Sequence, residues 1–176
     1  YDQTTPISPH VGNPGYHLTE DLADQTIAWI ERQQVSRPNQ PFFTYFSTPA
    51  LHAPHHVARE WIDKFKGHFD GGWDVLREEI YERQLKLGVI PPNTALTKRP
   101  EQVPAWNDYP ERYQPVAARL METFAGFLAH TDAQVGRVID ALERLNIMDN
   151  TLVVYITGDN GASAEGTIHG AWSAPS

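Results

Sequence analysis

Val116, Leu120, Phe124, Phe127, Leu128, Val135, Val138, Ile139, Leu142 and Leu145 recur every three or four residues, the spacing that gathers side chains on one face of an α-helix. One long amphipathic helix is predicted there, ended by the polar stretch Asn146 to Asn150. The period then changes. Thr151-Leu-Val-Val-Tyr-Ile-Thr157 is a continuous β-branched and aromatic run, which predicts a strand covered on both faces, closed by Gly158. Phe42-Phe-Thr-Tyr-Phe46, bounded by Pro41 and by Ser47-Thr-Pro49, predicts another. Ahead of it lies a shorter helix. The Thr19 hydroxyl is its expected cap, Glu20 and Asp21 suit the positive end, and Leu22, Ile27, Trp29 and Ile30 supply the apolar face. Arg37-Pro38 should end it near Val35, because the residue before a proline avoids helical geometry.

The rest of the chain lacks these periods. Prolines and glycines from Pro6 to Gly15 predict a loop. Residues 57–115 combine Gly67, Gly71 and Gly72 with a proline series beginning at Pro91, and read as an insertion. It holds one predicted helix, Trp73 to Leu87, with Leu76, Ile80, Gln84 and Leu87 on one side and Gly88 as its cap. Trp61, Trp73, Tyr81, Trp106 and Tyr109 would either line a substrate mouth or pack the insertion onto the body, and packing is the favoured use. Strand, helix, strand at these lengths is a crossover unit. The expected fold class is therefore α/β: a central, mostly parallel sheet flanked by helices, with a largely irregular or helical insertion. The core would comprise residues 16–56 and 116–166, all within one domain. Parallel strands share an edge at their carboxyl ends, where open α/β sheets bind ligands. That edge would bring together His52, after the first strand, and Asp159-Asn160, after the second.

Composition narrows the function classes. The 176 residues are 40% hydrophobic and 20% charged, suited to one globular domain, and no apolar run is long enough to cross a bilayer. A net charge of −8 with no cluster of basic residues argues against a nucleic-acid partner, which needs such clusters. Without cysteine there is no disulfide framework, thiolate zinc site or cysteine nucleophile. Tyr1 to Pro9 has neither an initiator Met nor a signal sequence, and the chain is expected to be an internal piece of a longer polypeptide. Compartment and oligomeric state stay open.

The candidate chemistry lies at the two predicted strand ends. Asp159 and Asn160 offer a carboxylate and an amide carbonyl side by side, hard donors suited to Ca²⁺ or Mg²⁺, and Gly158 and Gly161 allow a tight turn around an ion. They are half a site, since Ca²⁺ takes six to eight oxygens. The competing reading is a plain turn after a strand. His52 is placed to hold an anion or to protonate a departing oxygen, against the alternative of a solvated loop histidine. His52, His55 and His56 also raise a zinc site, but no second ligand group lies nearby in sequence.

Three segments together carry a resemblance: Pro41-Phe-Phe-Thr-Tyr-Phe-Ser-Thr-Pro-Ala-Leu-His52-Ala-Pro, Asp132-Ala-Gln-Val-Gly136-Arg-Val-Ile-Asp-Ala-Leu, and Asn150-Thr-Leu-Val-Val-Tyr-Ile-Thr-Gly-Asp159-Asn160-Gly161. In order and spacing they resemble the middle of the sulfatase family, arylsulfatase type. The insertion, with His68-Phe-Asp-Gly-Gly-Trp-Asp-Val-Leu-Arg and Leu87-Gly-Val-Ile-Pro-Pro, is similar to that of bacterial arylsulfatases. The resemblance implies an alkaline-phosphatase-like fold, a calcium ion on the sulfate, and a formylglycine nucleophile matured from Cys or Ser. It makes Asp159 and Asn160 the second metal-ligand pair and His52 the histidine that contacts the sulfate and assists the leaving group. The implied substrate is a sulfate ester, a small molecule or a glycan.

The family's first Asp-Asp metal pair, its Cys/Ser-x-Pro-x-Arg nucleophile motif and a sulfate-contacting Lys have no counterpart among these residues. Ser47-Thr-Pro-Ala50 lacks the Arg, and Ser173-Ala-Pro-Ser176 falls on the wrong side of Asp159; neither is taken as a nucleophile. His169 matches no family motif and reads as a loop histidine. Two other functions stay open: a phosphoester or phosphonate hydrolase of the alkaline phosphatase superfamily, which would share the metal chemistry, and a non-catalytic module in which Asp159-Asn160 is only a turn.

Overall fold

The computed structural model describes residues 4–158. Four α-helices carry its regular structure: α1 over Leu18–Ser36, α2 over Arg59–Asp63, α3 over Gly72–Leu87 and α4 over Gln114–Arg144. The described chain divides into two compact units, residues 4–50 with 129–158 and residues 51–128. The first half of α4 therefore belongs to one unit and the second half to the other.

The helices follow from the local signals, with one exchange of roles. At α1 the cap is His17, whose Nδ1 accepts the Thr19 N–H at 3.2 Å, a ring nitrogen doing what a hydroxyl was expected to do. Thr19 itself is fully buried. At α3, Gly88 takes the left-handed conformation (φ 69°) and its N–H reaches the carbonyls of Gln84 and Leu85, the geometry for which glycine was expected there. Asn146 leaves α4 in the same conformation, at φ 56°.

The expected parallel sheet does not form. Among the described residues there is no β-strand: 42–46 and 151–157 are irregular, with no ladder to a neighbour. Phe43 is 86% and Ile156 84% exposed, the opposite of a strand covered on both faces. The physical reason is that a short apolar run favours extended backbone and burial, whereas a strand exists only through hydrogen bonds to a partner, which such a run does not encode. The shared sheet edge that was to bring His52 to Asp159-Asn160 is lost with it.

In the first unit α1 packs on the second half of α4. Ala23, Ile30, Ala141 and Leu142 form its apolar core, and Trp29 meets Phe42 edge-on at 5.8 Å. Glu20 contacts His130, Asp24 pairs with Arg137, and Glu31 with Arg144. Because both sets of numbers rise together, the two helices run in the same direction. In the second unit Trp73 lies edge-on to Trp106 at 4.7 Å and to Tyr109 at 5.0 Å. Its indole N–H donates to the Pro104 carbonyl. These rings pack the segment internally, and Trp106 and Tyr109 are buried.

The face of α4 that these contacts bury is not the apolar stripe alone. Ala118, Glu122, Gly126, His130 and Gln134, one every fourth residue, are all buried, while Val116, Leu120 and Leu128 of the stripe stay exposed.

Candidate functional site

His52 lies in the second unit, on the segment that leads into α2. Exposure alternates along it: Leu51, Ala53, His55 and Val57 are half-buried, and His52, Pro54 and His56 are exposed. Pro54 fixes φ at its own position, and the His56 N–H donates to the Pro54 carbonyl at 2.9 Å, closing a tight turn around His55. The His52 Nδ1 lies 2.6 Å from the Ala53 carbonyl. A carbonyl oxygen only accepts, so Nδ1 carries the hydrogen of this contact. An exposed imidazole oriented in this way is suited to general acid chemistry.

This segment is anchored to the first half of α4. The His55 ring stands edge-on to Phe124, centroids 5.4 Å apart at 81°, and tilted against Phe127 at 6.0 Å. Beyond it, α2 approaches α4 closely at Gly126: a Cβ there would sit 2.8 Å from the Ile62 nitrogen and 2.9 Å from the Trp61 carbonyl carbon. Only glycine admits that approach.

Charged groups lock the same junction. Glu122, 5% exposed, accepts the Gly67 N–H at 2.8 Å and an Arg119 N–H at 2.6 Å. Arg119 also donates to Asp63 of α2 at 3.1 Å. Burial taken alone pushes the Glu122 carboxyl up, but the Arg119 guanidinium and the Gly67 N–H outweigh it and hold it below the usual carboxylate range. The hydrogen bond from Arg119 lowers Asp63 in the same sense.

Asp159, Asn160, His169 and Ser173 lie outside the described residues. Among the described residues, no group of three or more His, Asp or Glu side chains is disposed to hold a metal ion, and His52, His55 and His56 make no such group. In donor chemistry a carboxylate and an amide oxygen match a hard ion such as Ca²⁺, and two donors cover a minor part of its shell.

Sequence reasoning gave no structural role to three residues where the His52 segment and α2 meet α4. Glu122 and Gly126 were passed over because hydrophobic periodicity discounts polar residues and glycine. The usable signal was their spacing, since with His130 they fall every fourth residue on one helix. His55 was weighed only as a metal ligand.

Comparison with known proteins follows the same line. The family model described as Sulfatase matches residues 1–175. An uncharacterised sulfatase of Schizosaccharomyces pombe is 31% identical over 164 residues, covering 90% of this chain and 28% of that protein. An arylsulfatase of Klebsiella aerogenes is 30% identical over 148 residues, covering 84% of this chain and 31% of that protein. The chain thus spans less than a third of the length of these curated relatives.

Proposed function

The chain belongs to the sulfatase family, and from that premise we propose that it is part of an enzyme that hydrolyses sulfate monoesters, aryl esters among them, with His52 as the proton donor to the leaving oxygen. The observation that supports this reading is the state of His52: exposed, at the position the resemblance gives to the family's histidine, with its Nδ1 2.6 Å from the Ala53 carbonyl. A phenoxide or alkoxide departs slowly unless it is protonated as the S–O bond breaks, and a positioned imidazole is a common general acid for that step.

Asp159 and Asn160 are proposed as two of the oxygen ligands of a Ca²⁺ ion. Bound there, the cation would offset the negative charge of the sulfate group during transfer. The remaining ligands and the nucleophile, a formylglycine by the family pattern, would come from residues outside this chain, which contains no cysteine. Residues 57–115 are proposed as an insertion into the catalytic domain.

The test is steady-state turnover of 4-nitrophenyl sulfate by the full-length protein, with Ca²⁺ titrated. Asp159→Ala should raise the Ca²⁺ requirement and reduce turnover by orders of magnitude. Unchanged activity would remove Asp159 from the site, and preferential turnover of the corresponding phosphate would move the protein to the phosphoester side of the superfamily.

A further inference from the structure

Of the histidines that precede α2, His52 is exposed, while His55 is half-buried with its ring set between the aromatic side chains of Phe124 and Phe127. Three facts make His55 the fixed end of the segment. Its ring contacts reach a 31-residue helix, the longest element among the described residues. The His56 N–H and Pro54 carbonyl close a turn around His55, and the proline ring fixes φ at position 54, two residues from His52. And α2, which follows directly, is held on the same stretch of α4 by the close approach at Gly126 and by the Asp63–Arg119 ion pair. A proton donor must be held within a fraction of an ångström of its acceptor to be effective, so what orients its backbone contributes to rate without touching the substrate.

We infer that His55 is a positioning residue: through its edge contact with Phe124 and its tilted contact with Phe127 it fixes the segment from which His52 delivers its proton. This rests on the assignment of His52 made above. The role belongs to the ring's shape and edge, not to its charge, because the partners are two phenyl rings, which favour edge-on and tilted aromatic neighbours. A phenylalanine at position 55 should therefore serve nearly as well.

The experiment is a double-mutant cycle in the full-length protein on two aryl sulfates, one with a good leaving group (4-nitrophenol) and one with a poor one (phenol). Proton delivery matters most for the poor leaving group. His55→Ala should lower kcat/KM for phenyl sulfate by about tenfold or more, and for 4-nitrophenyl sulfate by only about two- to threefold, part of the roughly hundredfold or greater contribution of a general acid. His55→Phe should stay within about threefold of wild type on both. In a His52→Ala background His55→Ala should cost nothing further, since a residue that acts through another adds no loss once that other is gone. Should His55→Ala not fold, Phe124→Leu, which keeps an apolar side chain but removes the ring, takes its place in the cycle.

His55→Phe as impaired as His55→Ala would overturn the inference, because the imidazole itself would then be required. An equal further loss in the His52→Ala background would also overturn it while leaving the His52 assignment standing. If His52→Ala alone shows no selective loss on phenyl sulfate, the assignment of His52 fails, and the inference with it.

Discussion

His130 and Glu20, 110 positions apart in the chain, meet through Nε2 and Oε1 at 2.9 Å. A carboxylate oxygen accepts, so the imidazole donates, and the donor ring is 2% exposed. The same ring lies 4.2 Å, centroid to centroid, from His17, the residue that caps α1. One buried histidine of α4 thus contacts both the cap and the first turn of α1, and Arg137 and Arg144 repeat the contact at steps of seven residues. Exposed ion pairs such as these contribute little to stability each, about 0–1 kcal/mol, but together they set which residues of two parallel helices face one another.

His130→Ala should therefore destabilise the first unit by roughly 2–4 kcal/mol, from the cavity and the lost buried hydrogen bond together. Glu20→Gln, which keeps an acceptor oxygen at a half-exposed position, should cost about 1 kcal/mol or less. Thermal unfolding of the two variants side by side measures the difference; equal effects would mean that the ring's burial contributes nothing beyond the bond.

The second unit should lose stability in acid by way of Glu122. Its carboxyl is held below the ordinary value of 4.5, so the folded form keeps its proton off more readily than the unfolded chain does. A group depressed in this way contributes stability that is complete above its unfolded value and is lost as pH falls through its folded one. Unfolding midpoints measured from pH 7 downward should decline below about pH 4.5. Glu122→Gln should flatten that decline and lower the midpoint at pH 7, where the charged hydrogen bonds to Arg119 and Gly67 are worth roughly 1.5–3 kcal/mol each.

How much of this was legible depends on the range of the signal. The helices were, because their period and the left-handed glycine at 88 are written within a few residues of where they act, although the cap of α1 is His17 and not the expected Thr19. The sheet was not, because pairing is a relation between distant segments, and Phe42–Phe46 looks the same in sequence whether or not a neighbour is present. The buried polar row of α4 was hidden for another reason. Glu122 and His130 lie inside with Gly67 and Glu20 among their partners, and those two residues cannot be read from α4 itself. His52 and Asp159 were singled out by motif order, and only the first of them lies among the described residues.

Two glycines with nearly the same backbone separate strain from collision. Gly88 (φ 69°) has nothing within 4 Å of an added Cβ, whereas at Gly72 (φ 80°) the Cβ would fall 2.1 Å from the Trp106 ring. Gly88→Ala should cost only the conformational penalty, about 1–2 kcal/mol. Gly72→Ala pays that penalty and must also displace Trp106 from Trp73 and Tyr109, adding about 1–3 kcal/mol. Near-ultraviolet circular dichroism distinguishes them: the tryptophan signal should change for Gly72→Ala and not for Gly88→Ala.

The same comparison can be made inside α4, where backbone strain plays no part. Alanine is favoured over glycine in a helix interior by about 1 kcal/mol, so each replacement starts with that gain. At Gly136 nothing lies within 4 Å of the new Cβ, and Gly136→Ala should raise stability by most of that amount. At Gly126 the Cβ would meet backbone atoms of Ile62 and Trp61 at 2.8–2.9 Å. Backbone cannot rotate away as a side chain tip can, so α2 has to move as a body. Overpacking of this kind costs about 1–3 kcal/mol, which cancels or exceeds the helical gain, and Gly126→Ala should be neutral to destabilising by about 2 kcal/mol. Because α2 follows the segment that carries His52, the displacement should also lower aryl sulfate turnover in the full-length protein, whereas Gly136→Ala should leave it unchanged. A stabilised and fully active Gly126→Ala variant would show that α2 does not hold that segment in place.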